Sequence, residues 1–264
     1  MENKSNRFFL KKKLGFLIFI LVLVGLYLAA AFVTSFRWTE GVEAFPQAFV
    51  WMANNLVPDA AAYERMPKIL ERLLETILLS VAVTVIAAMV AFVVSLFGSK
   101  ATGFRGWING TVRMIASFFR NVPDVVWAML LMFSFGQNIL TGFLALFFTT
   151  FGLLTRSFIE TIDEVSASSI EALTSCGAKF SQIVCQGILP STLTGIVTWV
   201  LYMVETNIRS STLIGMLTTT GIGYLFNMYY KRLEFGSASV VVLSIIVVVL
   251  VIENISNLLR KVIA

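Results

Sequence analysis

Two pairs of opposite charge, each four residues apart, adjoin or interrupt otherwise apolar stretches: Arg120 with Asp124, and Glu205 with Arg209. On a helix that spacing puts guanidinium and carboxylate on one face, where they can neutralise each other. An ionisable group at membrane depth costs at least a few kcal/mol unless it is paired or hydrated. Each pair therefore has two readings. It is an ion pair that fixes a helix, with Arg120 and Asp124 straddling Pro123, or it turns a forked guanidinium toward a cavity that attracts an oxyanion. Ser210, Ser211 and Thr212 follow the second pair and add hydroxyl donors for such an anion. Other chemistry is excluded by what the chain lacks. Without histidine there is no Ser-His triad, imidazole metal site or imidazole proton shuttle. Two cysteines, Cys176 and Cys185, make neither a disulfide framework nor a zinc cluster. No Gly-x-x-x-x-Gly-Lys-Ser/Thr stretch occurs, so the chain does not hold ATP by that route.

The elements that must position these charges are set by composition. Of 264 residues 58% are hydrophobic and 13% charged, with 23 Phe, and the mean hydropathy is +0.86. A water-facing surface needs far more polar side chains, which excludes an ordinary cytosolic, secreted or disordered protein. The net charge of +5 reports membrane topology rather than nucleic-acid binding. Residues 14–36, 76–97, 183–204 and 235–252 are free of Asp, Glu, Lys and Arg and about as long as a hydrocarbon core of roughly 30 Å requires. A fifth such run, 125–155, is too long for one span. Gly136-Gln137-Asn138 breaks it, and the amphipathic stretch 108–119 lends length to its first half. The expected fold is an all-α polytopic bundle of six transmembrane helices.

An even number of spans puts both basic ends, Lys11-Lys12-Lys13 and Arg260-Lys261, on the cytoplasmic side. Lys4, Arg7, Lys100, Arg105, Arg113, Arg156 and Lys179 then join them inside, while Arg37, Arg65, Lys68, Arg72, Arg209, Lys231 and Arg232 lie outside. The division expected is a basic N-terminus (1–13), a first span (14–36), an external loop (37–68), a five-span core (69–258) and a cytoplasmic tail (259–264). A cleaved signal peptide ending near Ala29-Ala30-Ala31 is the alternative for the first span, although the apolar run exceeds an ordinary signal core. Trp38, Trp51 and Tyr63 in the external loop suit an interface-lying helix.

Residues 156–182 change character, with Glu160, Asp163, Glu164, Ser166, Glu171 and Lys179 among many polar side chains. Ile159, Ile162, Ile170, Leu173 and Phe180 recur at helical spacing, predicting one short amphipathic helix whose apolar stripe needs a partner. Its polar face is acidic, which disfavours a bilayer surface and favours docking onto a cytosolic protein. Here Glu171-Ala172-Leu173, then Gly177, then Leu189-Pro190 resemble the EAA signature of bacterial ABC-importer permeases. Gly187 stands where that signature has isoleucine. Gly177 can take positive φ and turn the chain, and Pro190 can open the first turn of span five.

The resemblance narrows from span two onward. Phe119-Arg120-Asn121-Val122-Pro123-Asp124-Val125-Val126-Trp127-Ala128, Gly142-Phe143-Leu144-Ala145-Leu146, Glu160-Thr161-Ile162-Asp163, Tyr202-Met203-Val204-Glu205-Thr206-Asn207-Ile208-Arg209-Ser210-Ser211-Thr212 and Gly221-Ile222-Gly223 occur in order. Together they look like the phosphonate-importer permease, the PhnE type of MetI-like permease. Where that family has Gly-Ala-Gly, this chain has Thr218-Thr219-Thr220. The hydroxyls alter substrate preference or gating, or mark one half of a heterodimer.

The resemblance implies a bacterial inner-membrane subunit with no cofactor of its own. Its partners would be a second permease subunit, two ATPases that bind ATP and grip the 156–182 loop, a binding protein outside, and a small anionic substrate such as phosphonate. Glu171, Ala172, Leu173, Gly177, Leu189 and Pro190 would couple to the ATPase. Arg120, Asp124, Glu205, Asn207, Arg209, Ser211, Thr218, Thr219, Thr220, Gly221 and Gly223 would line the pathway. An importer of methionine or another small solute is the alternative. A membrane-embedded enzyme lacks clustered bases or metal ligands, and an ion-driven transporter lacks the expected duplication and midplane carboxylates.

Overall fold

The computed structural model of the chain describes residues 2–102, 106–165 and 167–263; Arg105 and Ser166 lie outside them. It divides into two units, Met1–Asn55 and Leu56–Ala264. The first contains α1 (Glu2–Val33) and α2 (Trp38–Asn55). From Leu14 onward helix α1 carries no charged residue and is apolar on every face, the pattern of a membrane-spanning helix. Helix α2 starts beside an Arg37–Glu40 ion pair of 2.8 Å and carries Trp38 and Trp51. Tyr63, expected on the same surface helix, belongs instead to α3 (Ala60–Glu64) of the second unit, because Pro58 and the Asp59 cap start a new helix there.

In the second unit, α4 (Met66–Gly98) opens with Pro67 in its first turn and runs 33 residues, about 50 Å. The chain then forms α5 (Gly106–Asn121), α6 (Asp124–Phe135) and α7 (Ile139–Val165). The break at 136–138 falls where the small and polar residues predict it. Gly136 adopts φ +74°, and Asn138 Oδ1 accepts from Thr141 N at 2.9 Å, capping α7. The expected loan of length from 108–119 takes another form. Helices α5 and α6 meet at 88°, because Pro123 disfavours helical geometry at Val122 and cannot donate back into α5.

Helix α7 is the centre of the unit, packed against α4, α5, α6 and α10. After it come α8 (Ala167–Ser175), α9 (Phe180–Gln182), a π-helical stretch (Ile183–Ile188), α10 (Leu189–Thr218), α11 (Gly221–Lys231) and α12 (Phe235–Ile263). Helix runs unbroken from Phe180 to Thr218. Among the described residues five helices are long and apolar enough to cross a membrane, and the bent α5–α6 pair counts as a sixth. One end of the unit carries α8 and α9, and the other carries α3 and α11. At that second end Arg65 pairs with Glu234, donates to Ser237 Oγ at 2.9 Å and lies 5.1 Å over the Tyr229 ring. These contacts tie the start of α4 to α11 and α12, and the Glu234 hydrogen bond holds the Arg65 pKa above its ordinary value.

Candidate functional site

The residues expected to meet an ATPase sit on a tightly turned segment. Helix α8 ends in a Schellman motif: Ala178 N donates to Leu173 O at 3.0 Å and Gly177 N to Thr174 O at 2.9 Å. Gly177 holds φ +76°, with no other heavy atom within 4 Å of where a Cβ would stand. The glycine is therefore required by backbone conformation and not by crowding. Lys179 N then donates to Gln182 Oε1 at 2.8 Å, starting the next helix. Glu171 and Ala172 are exposed on α8. Leu173 turns the other way and fills the space at Gly187, where an added Cβ would come within 2.8 Å of Leu173 Cδ1. That contact accounts for glycine in place of isoleucine: α8 lies flat on the π-helical stretch.

Two expectations change here. The apolar stripe does not await a partner as one helix, because α7 continues to Val165 and α8 begins anew at Ala167. Ile159 and Ile162 are fully buried, and Ile162 and Ile170 form a cluster with Leu96 and Ile188. Most of the stripe completes this chain's own core, with Leu173 partly buried and Phe180 exposed, and the opposite face of α8 presents Glu171 and Ala172. Pro190 does lie in the first turn of α10, but that helix is already under way. The wider π register before it absorbs the hydrogen bond that proline cannot make. Leu189 and Pro190 are both exposed.

Asp163, within one of the quoted motifs but without a sequence-derived role, fastens this end. Its Oδ1 accepts from Ser99 Oγ at 2.6 Å, Lys100 N at 2.9 Å and Ala101 N at 3.3 Å. Its Oδ2 accepts from Arg113 at 2.6 Å, and Arg113 Nε donates to Gly98 O at 3.0 Å. One carboxylate thus joins α7, the α4–α5 turn and α5. Asn109 Nδ2 also reaches Ser99 O at 2.5 Å and Phe97 O at 3.0 Å.

The expected pathway residues divide into three groups. Arg120 and Asp124 do not pair: Arg120 is exposed at the end of α5, while Asp124 Oδ1 accepts from Val125 N at 2.9 Å in the first turn of α6. The 88° bend removes the shared helical face that i,i+4 pairing needs. Glu205 and Arg209 do pair, at 3.1 Å, with Glu205 13% exposed and Arg209 50%. The charge-free run 183–204 puts them at the outer end of span five, and the helix itself runs on past them. Helix α10 continues to Thr218, so Arg209 lies about 14 Å, nine residues, inside that end.

The third group is buried in a ladder of hydroxyls. Thr76, Ser80 and Thr84 recur every four residues on α4 and face α7, α10 and α11. Ile222 N donates to Thr76 Oγ1 at 2.8 Å. Ser80 Oγ lies 3.0 Å from Ser211 Oγ and donates to Asn207 O at 3.2 Å. Asn207 Nδ2 donates to Thr84 Oγ1 and Thr150 Oγ1, both at 2.9 Å. Asn207 and Ser211 are 3% and 5% exposed in this chain, and their hydrogen bonds knit its helices together. Thr218 and Thr220 are likewise buried, with their hydroxyls 2.9 Å apart. Thr219 alone of the three is exposed, at φ +58° in the left-handed region, which burdens a β-branched residue. Gly221 and Gly223 are close-packing positions. An added Cβ would lie 2.4 Å from Thr76 Oγ1 at the first and 1.9 Å from Thr212 O at the second. The four-residue period of Thr76, Ser80 and Thr84 in an otherwise apolar run was the available signal for this ladder.

Comparison with known proteins agrees with this architecture. The phosphite transport system permease protein PtxC of Stutzerimonas stutzeri is 26% identical over 169 residues, 64% of this chain and 62% of that protein. The chain thus spans about three fifths of that relative's length. The cryptic phosphonate transport system permease protein PhnE2 of Escherichia coli K12 is 30% identical over 118 residues, 45% of this chain and 97% of that protein. A structure of the MetNI methionine ABC transporter in an inward-facing conformation superposes with a TM-score of 0.67 at 16% identity, covering 78% of this chain and 99% of that one. The fold is therefore that of the MetI-like permeases of type I ABC importers, as the motifs imply. The family described as binding-protein-dependent transport system inner membrane component matches residues 91–264, from the last two turns of α4 through α12, and on that extent the chain belongs to it.

Proposed function

We propose that the chain is the transmembrane permease subunit of an ATP-driven importer for phosphonate or a related phosphorus oxyanion. The observation that carries this is the construction of α8. Its inner side is fastened to Gly187 and Ile188 at the start of a 39-residue helix, while Glu171 and Ala172 stand free beyond the Gly177 turn. A cytosolic ATPase that grips the free face moves α8, and with it a helix that reaches the opposite end of the unit. Two copies, or one copy with a close relative, form the pathway. A binding protein outside delivers the anion, both termini are cytoplasmic, and residues 37–68 are external.

The cycle follows from differential binding. ATP draws the two ATPase subunits together, which favours the arrangement of spans open to the outside, and hydrolysis releases that bias. Glu171 is then a docking residue, and Asp163 holds the α4–α5 turn so that force on α7 and α8 reaches α4 and α5. The phosphorus oxyanion is supported by the relatives named for phosphite and phosphonate.

The test is co-expression with candidate ATPase and binding-protein partners, reconstitution in liposomes, and measurement of ligand-dependent ATP hydrolysis with phosphonate, phosphite, phosphate and methionine. Stimulation by the phosphorus oxyanions alone is expected. Failure of the chain to bind any ATPase subunit would overturn the permease reading, and stimulation by methionine alone would overturn the substrate.

A further inference from the structure

At the α3–α11 end lies a cavity of about 360 Å³, room for about a dozen waters at roughly 30 Å³ each. Its wall includes Lys231 and Arg232 from the end of α11, Tyr224 and Asn227 from the body of that helix, Thr219 from the turn before it, and Gln137 from the α6–α7 turn. No carboxylate lines it. Among the described residues neither Lys231 nor Arg232 has an acidic group in salt-bridge reach, and the nearby Glu234 is committed to Arg65.

The two cations are not needed to finish their own helix. Its last carbonyls are satisfied by the backbone: Leu233, at φ +59°, donates to Tyr230 O at 3.1 Å, and Glu234 N donates to Tyr229 O at 3.0 Å. The result is a concave space with two uncompensated positive charges, two amides and two hydroxyls. Three chain segments converge on it, and Thr219 stands in its wall with left-handed backbone. Positive charge in a concave wall concentrates counter-ions and speeds their arrival.

We infer that this cavity is a receiving site for a small tetrahedral oxyanion, bound by Lys231 and Arg232 with Gln137, Asn227, Thr219 and Tyr224 completing its hydrogen bonds. The guanidinium and ammonium supply charge-assisted bonds, and the neutral groups take the remaining oxygens. The volume exceeds one such anion, so the ligand keeps part of its water shell and is held weakly enough to move on. This deepens the importer reading and rests on it in one respect, that this end faces the external side. The binding itself does not depend on an ATPase.

The full chain in nanodiscs is titrated with methylphosphonate while the width of its phosphorus NMR line is followed, with tetramethylphosphonium as a cationic probe of similar size. Broadening of the methylphosphonate line and none of the tetramethylphosphonium line is expected. The Lys231→Gln/Arg232→Gln double variant should reduce the broadening at least about fivefold. Lys68→Gln/Lys261→Gln, which removes the same charge elsewhere, should leave it within about twofold. Gln137→Glu, at an exposed turn, places a carboxylate in the wall and should give the same loss should the double variant fail to fold. Equal broadening in the cavity and control variants, or equal broadening of both probes, overturns the site. Binding that persists in a chain that recruits no ATPase overturns the importer reading and leaves the site standing.

Discussion

Asp163 near the end of α7 and Arg113 on α5 meet at 2.6 Å across 50 residues of sequence, with side chains 25% and 22% exposed. Because the carboxylate also accepts from Ser99 Oγ and two backbone amides, it joins α7, the α4–α5 turn and α5 at the end of the unit that bears α8. Asp163→Asn should lower stability by about 1–2 kcal/mol, the range for a hydrogen-bonded charge that is partly solvated. Thermal unfolding of the purified chain, with Arg113→Met as the second arm of a double-mutant cycle, checks this. Additive losses would show that the two residues do not act together.

Gly177 offers a separation of backbone from bulk. The left-handed conformation costs an ordinary residue about 1–2 kcal/mol, and Asn tolerates it better than most. Gly177→Asn should therefore retain most ATPase association, while Gly177→Val should lose at least about tenfold although nothing crowds the site. Co-purification with the ATPase reads the difference. Equal behaviour would mean that the turn tolerates rearrangement.

Asn207→Leu removes the amide that joins Thr84 and Thr150. Two buried hydroxyls then lose a partner, and a loss of about 1–3 kcal/mol is expected. Unfolding in detergent measures it, and an unchanged midpoint would place the network's strength elsewhere.

Thr219→Gly should stabilise the chain by about 1 kcal/mol, because glycine relieves the left-handed φ of +58°. Thr218→Ala should act oppositely, since it breaks the 2.9 Å bond to Thr220. The sign of each change in Tm decides. This chain therefore keeps a strained exposed threonine beside two structural ones.

Arg209→Ala leaves the largely buried Glu205 without its counter-ion. Uptake of an anionic substrate should fall at least about tenfold in Arg209→Ala and less than threefold in Arg209→Lys, which preserves charge. Equal losses would assign the pair to packing.

Much of the fold was legible because local chemistry dictates it. Gly136-Gln137-Asn138 ends one helix and caps the next, and Gly177 reverses the chain in a motif whose bonds are all within six residues. The helix of span five runs beyond the charge-free stretch because Glu205 and Arg209, which interrupt it, neutralise each other. Pro123 signalled a break but not its angle, and the angle separates Arg120 from Asp124. The Asp163 clamp and the hydroxyl ladder bring together residues 50 to 146 positions apart; the four-residue period of Thr76, Ser80 and Thr84 marks one side of the ladder but not its partners. For the same reason the close approach of backbone at Gly221 and Gly223 is not legible from their neighbours in sequence.

The run of helix from Phe180 to Thr218 spans about 58 Å at 1.5 Å per residue. Such a rod is a lever. Tilting it by about 5° about the end under α8 sweeps Thr218 sideways through about 5 Å, comparable with the pitch of one helical turn. On the proposed importer reading, a nudge too small to disturb the packing beneath Leu173 would be magnified into a sideways displacement of several ångströms at the far end.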